Sequence, residues 1–273
     1  MISDVEKIIN WSYQLQKSRW RCLVRLSGEV SRRQASALAL WKGRHWHLPL
    51  WVSSAPPEML NDSACLKPAK ATTRLGQEHQ LVIYDIQHDG LNPDVLGALG
   101  GTLKAGGLLV LLTDPDWGAS PDPDYQRMAD YPSSWQALSS HYLARLKRQL
   151  NADPLVIHWQ TGKPPDLPRL KLRAESPQNA TDDVDCLTQD QADAVAALVK
   201  LKRRRPLVIT ADRGRGKSAA LGIACARLLA KGIDQLRITA PRPGAVQPVF
   251  ERLASFYPEA SWPSAHCMQL PSG

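Results

Sequence analysis

The sequence predicts an α/β protein in two parts, a layered domain with a largely parallel sheet followed by the start of a P-loop nucleotide-binding domain. Three observations carry that reading. Strand-like apolar runs alternate with helix-like segments through about residue 160, the pattern of a parallel sheet covered by helices. A polar, proline-rich stretch then breaks the alternation. Beyond it the order is strand, glycine loop, helix, strand, which opens a P-loop domain.

The buried strands are expected at WRCLVRLS (20–27), HWHLPLWV (45–52), LVIYD (81–85), GLLVLLT (107–113) and PLVIHW (154–159), each an apolar run of strand length. Helices are expected at 31–42, 92–104 and 135–150. The last of these places Arg145, Lys147 and Arg148 near its end, where cations complement the helix dipole. Prolines and aspartates forbid regular structure over 114–134, and a loop this long is often functional. The first domain is taken as 1–162, a linker as 163–185 and an incomplete P-loop domain as 186–273. Within the last, a helix at 188–201 precedes a strand at 207–211 and a helix at 217–230. Gly232 caps that helix, and a second strand, 236–240, ends at Pro241.

Composition sets limits on function. The 273-residue chain is 43% hydrophobic and 22% charged, ordinary for a globular protein. No run approaches the roughly 18 apolar residues of a membrane span, and the N-terminus has acidic residues and no small-residue cleavage site. A cytoplasmic protein without a membrane partner is the expectation. Cys22, Cys65, Cys186, Cys225 and Cys267 form no CxxC pair, so buried free thiols are expected in place of zinc or disulfides. A net charge of +8 fits a polyanionic partner, although charge alone identifies none.

The sharpest signal is ADRGRGKS (211–218). It keeps the pattern GxxxxGK[ST] except at its first glycine, which is Ala211. Gly214 and Gly216 let backbone N–H groups wrap phosphates at a helix N-terminus. Lys217 would reach the β- and γ-phosphates, and Ser218 would hold Mg²⁺. An apolar strand before the loop and a helix after it support this against an incidental glycine turn. Upstream, Gln191 is placed to recognise adenine as in helicase-like ATPases. The same residue completes T-x-x-Q with Thr188, a capping box at a helix start, and spacing does not choose between the two. The run KLKRRRP (200–206) could touch RNA phosphates, but a solvated charged flank is the commoner meaning of such a run.

In the first domain, Gly106 and Gly107 are read as ending a helix and turning into a buried strand. A methyltransferase reading of LGGTLKAGGLLVLLT (99–113) fails, because LSGEVSRR (26–33) offers one glycine where a cofactor loop needs several. Asp85, His88 and Asp89 follow a strand end, where ligands often bind, yet turn and cap roles explain them more simply. No catalytic set of paired carboxylates or Ser-His-Asp type stands out.

At the phosphate loop the match becomes more specific. VITADRGRGKSAALGIA (208–224) resembles the loop of the tRNA(Met) cytidine acetyltransferases and their RNA acetyltransferase relatives. RCLVRLSGE (21–29), LGALGGTLKAGGLLVLL (96–112) and ITAPRPGAVQPVFERL (238–253) resemble the same family in the same order. The resemblance implies a Rossmann-like N-terminal domain and a helicase-like ATPase domain. It implies acetyl transfer from acetyl-CoA to N4 of the wobble cytidine of elongator tRNA(Met), with hydrolysis of ATP or GTP. By position, Gly214, Arg215, Gly216, Lys217 and Ser218 would bind phosphates, Ser218 with Mg²⁺, and Gln191 would contact the base. The partner implied is tRNA, not DNA.

Departures from the family pattern set further expectations. An acidic second strand end for Mg²⁺ is not found, the nearest candidates being Asp212 and Asp234. The acetyl-CoA domain is not found either, so the chain is expected to be truncated and unable to acetylate RNA alone, with no catalytic residue of its own. Two other readings stay open: an RNA- or partner-binding module with a vestigial P-loop, and a small stand-alone P-loop ATPase.

Overall fold

The computed structural model describes residues 3–169, 181–202, 206–211, 215–241, 243–264 and 267–270. The chain forms two compact units, Met1–Ala174 and Glu175–Gly273. Among the described residues no helix is long and apolar enough to cross a membrane.

The first unit begins with α1 (Asp4–Lys17), whose start is fixed by a reciprocal capping box between Ser3 and Glu6. Then follow β1 (Cys22–Ser27), α2 (Val30–Lys42), β2 (Leu50–Val52) and β3 (Cys65–Leu66). The unit continues with β4 (His79–Asp85), α3 (Pro93–Gly100), β5 (Leu103–Thr113), α4 (His141–Ala152) and β6 (Ile157–Gln160). The six strands form one sheet in the order β3-β2-β4-β5-β1-β6, parallel at every pairing. This is the α/β class expected, with Rossmann-like layering.

Both faces are covered, which explains the continuous apolar runs in β4 and β5. Leu81, Ile83, Leu108, Val110 and Leu112 pack on one face with Ile8, Trp11 and Leu15 of α1 and Ala37 and Leu40 of α2. The intervening residues Val82, Tyr84, Leu109 and Leu111 pack on the other with Val95 and Leu99 of α3 and Leu143 of α4. The period of two along each strand thus splits the apolar residues between two cores.

Several boundaries differ from expectation, each for a local reason. Strand β2 keeps only residues 50–52, because Leu48 has a φ of 44° and Pro49 has no N–H to give a ladder. The helix expected at 92–104 stops at Gly100, with Gly101 as its cap. Gly106 and Gly107 therefore do not end it; they lie within β5. There the register slips, His79 facing Leu103 while Leu81 faces Leu108. The extra residues form a bulge whose Gly106 N–H donates to the Trp20 carbonyl at 2.7 Å. Helix α4 begins at His141 after a separate 3-10 turn at Trp135–Ala137. It runs on to Ala152, so its cations sit a turn or more before its end.

The second unit holds α5 (Gln189–Val199), α6 (Lys217–Ala230) and α7 (Gln247–Ala254), with a small antiparallel hairpin of β7 (Ser261–Ser264) and β8 (Cys267–Gln269). Helix α6 has the expected bounds. It closes in a Schellman motif, Gly232 N–H donating to Leu229 O and Ile233 N–H to Leu228 O. The segments 207–211 and 236–240, expected as strands, are not strands. A strand exists by its ladder, and neither segment has a ladder partner among the described residues. Residues 234–239 instead border a cavity of about 460 Å³ between α6, α7 and β8, lined by Leu229, Leu236, Ile238, Phe250 and Leu253. Not all cysteines are buried: Cys22 and Cys186 are, Cys65 and Cys225 are half-buried, and Cys267 is exposed. Burial pushes the Cys22 thiol up to about 12.

Candidate nucleotide-binding site

Gly216 is the N-cap of α6, with φ 80° and ψ 19°. That left-handed conformation is open to glycine at little cost. Among the described residues no side chain caps the helix. Ala220 N–H bonds back to the Gly216 carbonyl at 2.9 Å and makes the first helical bond. Lys217 opens the helix, and its Nζ donates to the carbonyl of Ala211. The lysine thus folds back across the loop it belongs to. Ser218 follows in the first turn, half-buried, while Arg215 is exposed. Gly214, Asp212 and the arginines of the basic run at 203–205 lie outside the described residues.

Helix α5 brings Gln191 to this loop. Thr188 caps the helix by accepting from Gln191 N–H at 3.3 Å. The Gln191 side chain does not return to the Thr188 backbone, as a full capping box would. Its Oε1 accepts from Leu187 N–H at 2.8 Å, and its Nε2 donates to Gly216 O at 3.2 Å. Both ends of the buried amide are used, one on its own helix start and one on the phosphate loop. The helices that carry these residues meet in a small core of Ala192, Val195, Ala220, Ile223 and Ala224. Gly222 allows α6 and α7 to touch, since a Cβ there would lie 2.7 Å from Val249 O.

A second network, not anticipated from the sequence, fastens the segment before α5 to α6. Arg227 takes Asp183 in a two-pronged grip at 2.8 and 2.6 Å and reaches Asp185 at 2.8 Å. Arg252 of α7 donates to Asp185 O at 2.8 Å. The guanidinium holds the Asp183 carboxyl down at about 2, and the two carboxylates raise Arg227 in turn. DDVD (182–185) is the sequence signal, but its partner lies more than 40 positions away.

Asp234 is not near the loop. It follows the C-terminal end of α6 and borders the cavity there, roughly 20 Å of helix from Ser218. Among the described residues no group of three or more His, Cys, Asp or Glu side chains could hold a metal ion. In the first unit, the strand-end residues take structural roles. Asp85 is fully buried and accepts from Gln87 N–H at 3.2 Å, and Asp89 accepts from Ser54 N–H at 2.9 Å. His88 is exposed. Arg33 of α2, 1% exposed, fills the space at the strand ends, donating to Gly28 O at 3.1 Å and to Asp114 and Gln87.

Comparison with known proteins places this geometry. Residues 1–161 match the family described as tRNA(Met) cytidine acetyltransferase TmcA, N-terminal. Residues 208–264 match the RNA cytidine acetyltransferase NAT10/TcmA helicase domain. The chain is 40% identical over 221 residues to the tRNA(Met) cytidine acetyltransferase TmcA of Nitrosococcus halophilus, covering 78% of this chain and 29% of that protein. It is 34% identical over 250 residues to the TmcA of Citrobacter koseri, covering 89% and 34%. Against the TmcA of Haloferax volcanii it is 35% identical over 208 residues, covering 68% and 27%. The chain spans about a third of the length of these curated relatives. With a parallel-sheet unit matched across 1–161 and a helicase-domain match across 208–264, the chain belongs to the tRNA(Met) cytidine acetyltransferase TmcA family.

Proposed function

We propose that this chain supplies the N-terminal module and the nucleotide-binding loop of an enzyme that forms N4-acetylcytidine at the wobble position of elongator tRNA(Met). The acetyl donor would be acetyl-CoA, and no residue of this chain is assigned to it or to the transfer step. The observation that carries the reading is the gathering of Gly216, Lys217 and Gln191 at the start of α6, with the left-handed Gly216 as its N-cap.

These residues fit a nucleoside triphosphate. Gly216 presents no side chain toward the loop, and the N–H groups at the head of α6 are donors for phosphate oxygens. The ammonium of Lys217, which donates to the Ala211 carbonyl, would reach phosphate oxygens in a charge-assisted bond. Ser218 would place its hydroxyl on Mg²⁺ and Gln191 would contact the base, with Gly214 and Arg215 completing the phosphate cradle. Bound ATP or GTP supplies a hydrolysable phosphoanhydride, whose cleavage would accompany acetylation. Enzyme activity, tRNA recognition and a cytoplasmic location all belong to this proposal.

Calorimetry with Mg²⁺-ATP tests it, comparing the chain with its Lys217→Ala variant. Binding that disappears in the variant is the expected result. Equal binding by both proteins would overturn the assignment of the loop.

A further inference from the structure

The end of the first unit where the strands begin carries a cluster of cations and exposed aromatic rings. Helix α1 runs toward this end and closes with Lys17. Trp20 and Arg21 then lead into β1, and Trp20 is 41% exposed. The β5 bulge adds Lys104, and Arg44 follows α2.

Stacking contacts and hydrogen bonds join these residues into one surface. The guanidinium of Arg44 stacks between Tyr13 and Trp46, 4.2 and 4.4 Å from the two ring centres. It also donates to Ser12 Oγ at 3.1 Å. Ser12 Oγ in turn donates a hydrogen bond to Gly106 O at 2.7 Å, in the bulge. Gly106 N–H reaches the Trp20 carbonyl, and Arg21 donates to Leu103 O at 3.1 Å. A chain of bonds therefore runs from Arg44 through Ser12 and Gly106 to Trp20, with Lys104 beside it in the bulge.

Four cations of this ledge have neutral partners or stand without a carboxylate at salt-bridge distance among the described residues. Among the described residues none of Lys17, Arg21, Arg44 or Lys104 forms an ion pair with a carboxylate. Arg44 is held by rings and a hydroxyl, and Arg21 by carbonyls, all of them neutral partners. Such an arrangement keeps positive potential at the surface instead of cancelling it. Exposed Trp20 and Tyr13 add ring faces among the charges. Cations that track a backbone, interleaved with rings on which bases stack, are what a single-stranded or looped nucleic acid meets.

We infer that this ledge of Tyr13, Lys17, Trp20, Arg21, Arg44 and Lys104 is an RNA-binding surface of the N-terminal unit. It takes a single-stranded or looped RNA segment by its phosphates and stacks at least one base on Trp20. The choice of RNA rests on the tRNA reading above, whereas the ledge itself rests on its own residues. Phosphate contacts carry affinity and salt dependence, and the rings carry stacking, so the two parts can be separated.

The test is fluorescence anisotropy of a labelled uridine-rich RNA oligonucleotide and of tRNA across a salt series, using the full chain. Arg21→Ala combined with Lys104→Ala is expected to weaken binding about tenfold at low salt and to flatten the salt slope by about 1.4. Trp20→Ala is expected to weaken binding about tenfold with the slope unchanged. Lys17→Gln alters an exposed side chain at the end of α1, with little cost to the fold, and should weaken binding in the same direction. Wild-type affinity in all three variants would overturn the inference. So would displacement of the RNA by polyglutamate at lower charge concentration than by unlabelled RNA, which would assign the ledge to an acidic protein. RNA binding lost with the ledge, in a chain that binds no Mg²⁺-ATP, would leave this surface standing and remove the nucleotide-site reading. Mg²⁺-ATP binding without any RNA binding would do the reverse.

Discussion

Gln191 Nε2 donates to the carbonyl of Gly216 across 3.2 Å, and a Cβ on residue 216 would fall 2.9 Å from that same nitrogen. One glycine therefore serves both the helix cap and the amide from α5. The contact joins two stretches separated by 25 positions, and it ties the upstream helix to the geometry of the loop.

The first prediction follows from that contact. Gly216→Ala forces a side chain into a φ of 80°, at about 1 kcal/mol or more. Gln191 can withdraw from the new methyl group, but it then gives up its bond to the loop, about another 1 kcal/mol. Urea unfolding should show the second unit destabilised by about 2 kcal/mol, and Mg²⁺-ATP binding should fall with it. Unchanged stability would mean that the loop relaxes freely around residue 216.

The second prediction concerns acid. Asp183 is held at about 2 by Arg227, against about 3.9 in an unfolded chain. A depressed carboxyl adds stability that is full above the unfolded value and is lost as pH falls through the folded one. The second unit should therefore keep its stability down to about pH 4 and lose this contribution between about pH 4 and about pH 2. Arg227→Met should lower stability at neutral pH and flatten the same acid limb. Thermal melts across that window decide it, and an acid limb identical in both proteins would reject the pairing as its cause.

What the sequence made legible depended on how far apart the deciding residues lie. Strands β4 and β5 stand out because burial on both faces makes their apolar runs continuous, from Leu81 to Tyr84 and from Leu108 to Leu112. The segment read as a phosphate loop stands out for a similar reason, since its whole pattern falls within eight residues, 211–218. Helix α1 is not among the expected helices, because its stretch carries no long apolar run, although Ser3 and Glu6 form a capping box at its start. Strand β3, two residues long, leaves no periodicity to read. The segments 207–211 and 236–240 are apolar enough for strands, but a ladder partner decides that, and sequence composition does not contain it. Arg227 and Asp183 were out of reach because their pairing is made only by the packing of α6.

The third prediction tests the strand ends of the first unit. Arg33 is buried and bonds to the loops after β1, β4 and β5 through Gly28, Gln87 and Asp114. Arg33→Met keeps most of the volume but removes all three bonds and leaves Asp114 without its cation. A buried pair broken at one end costs about 3 kcal/mol or more, reduced here because Asp114 is itself 48% exposed. A loss of about 2 kcal/mol in urea unfolding of the first unit is expected. Arg33→Lys should recover little, since a single ammonium does not span three acceptors. Full recovery by lysine would show that charge alone matters there.

The fourth prediction concerns the bulge of β5. Gly106 has a φ of 76°, and a Cβ there would meet Gln16 Cβ at 2.6 Å and Ser12 O at 3.0 Å. Those atoms belong to the body of α1 and cannot swing aside as a side-chain tip would. Gly106→Ala thus combines a disfavoured backbone with overpacking, together about 3 kcal/mol. Helix α1 must shift to admit the methyl group, which breaks the Ser12 bond to Gly106 O and loosens the stack of Arg44 on Tyr13. Hydrogen exchange should show α1 and the start of β5 opening together, while β4 and α3 keep their protection. Tyr13 and Trp20 fluorescence should change in the same variant. Protection lost evenly over the whole unit would mean that the bulge acts through global stability, whereas loss confined to α1 and β5 would establish Gly106 as the point that fixes the helix to the sheet.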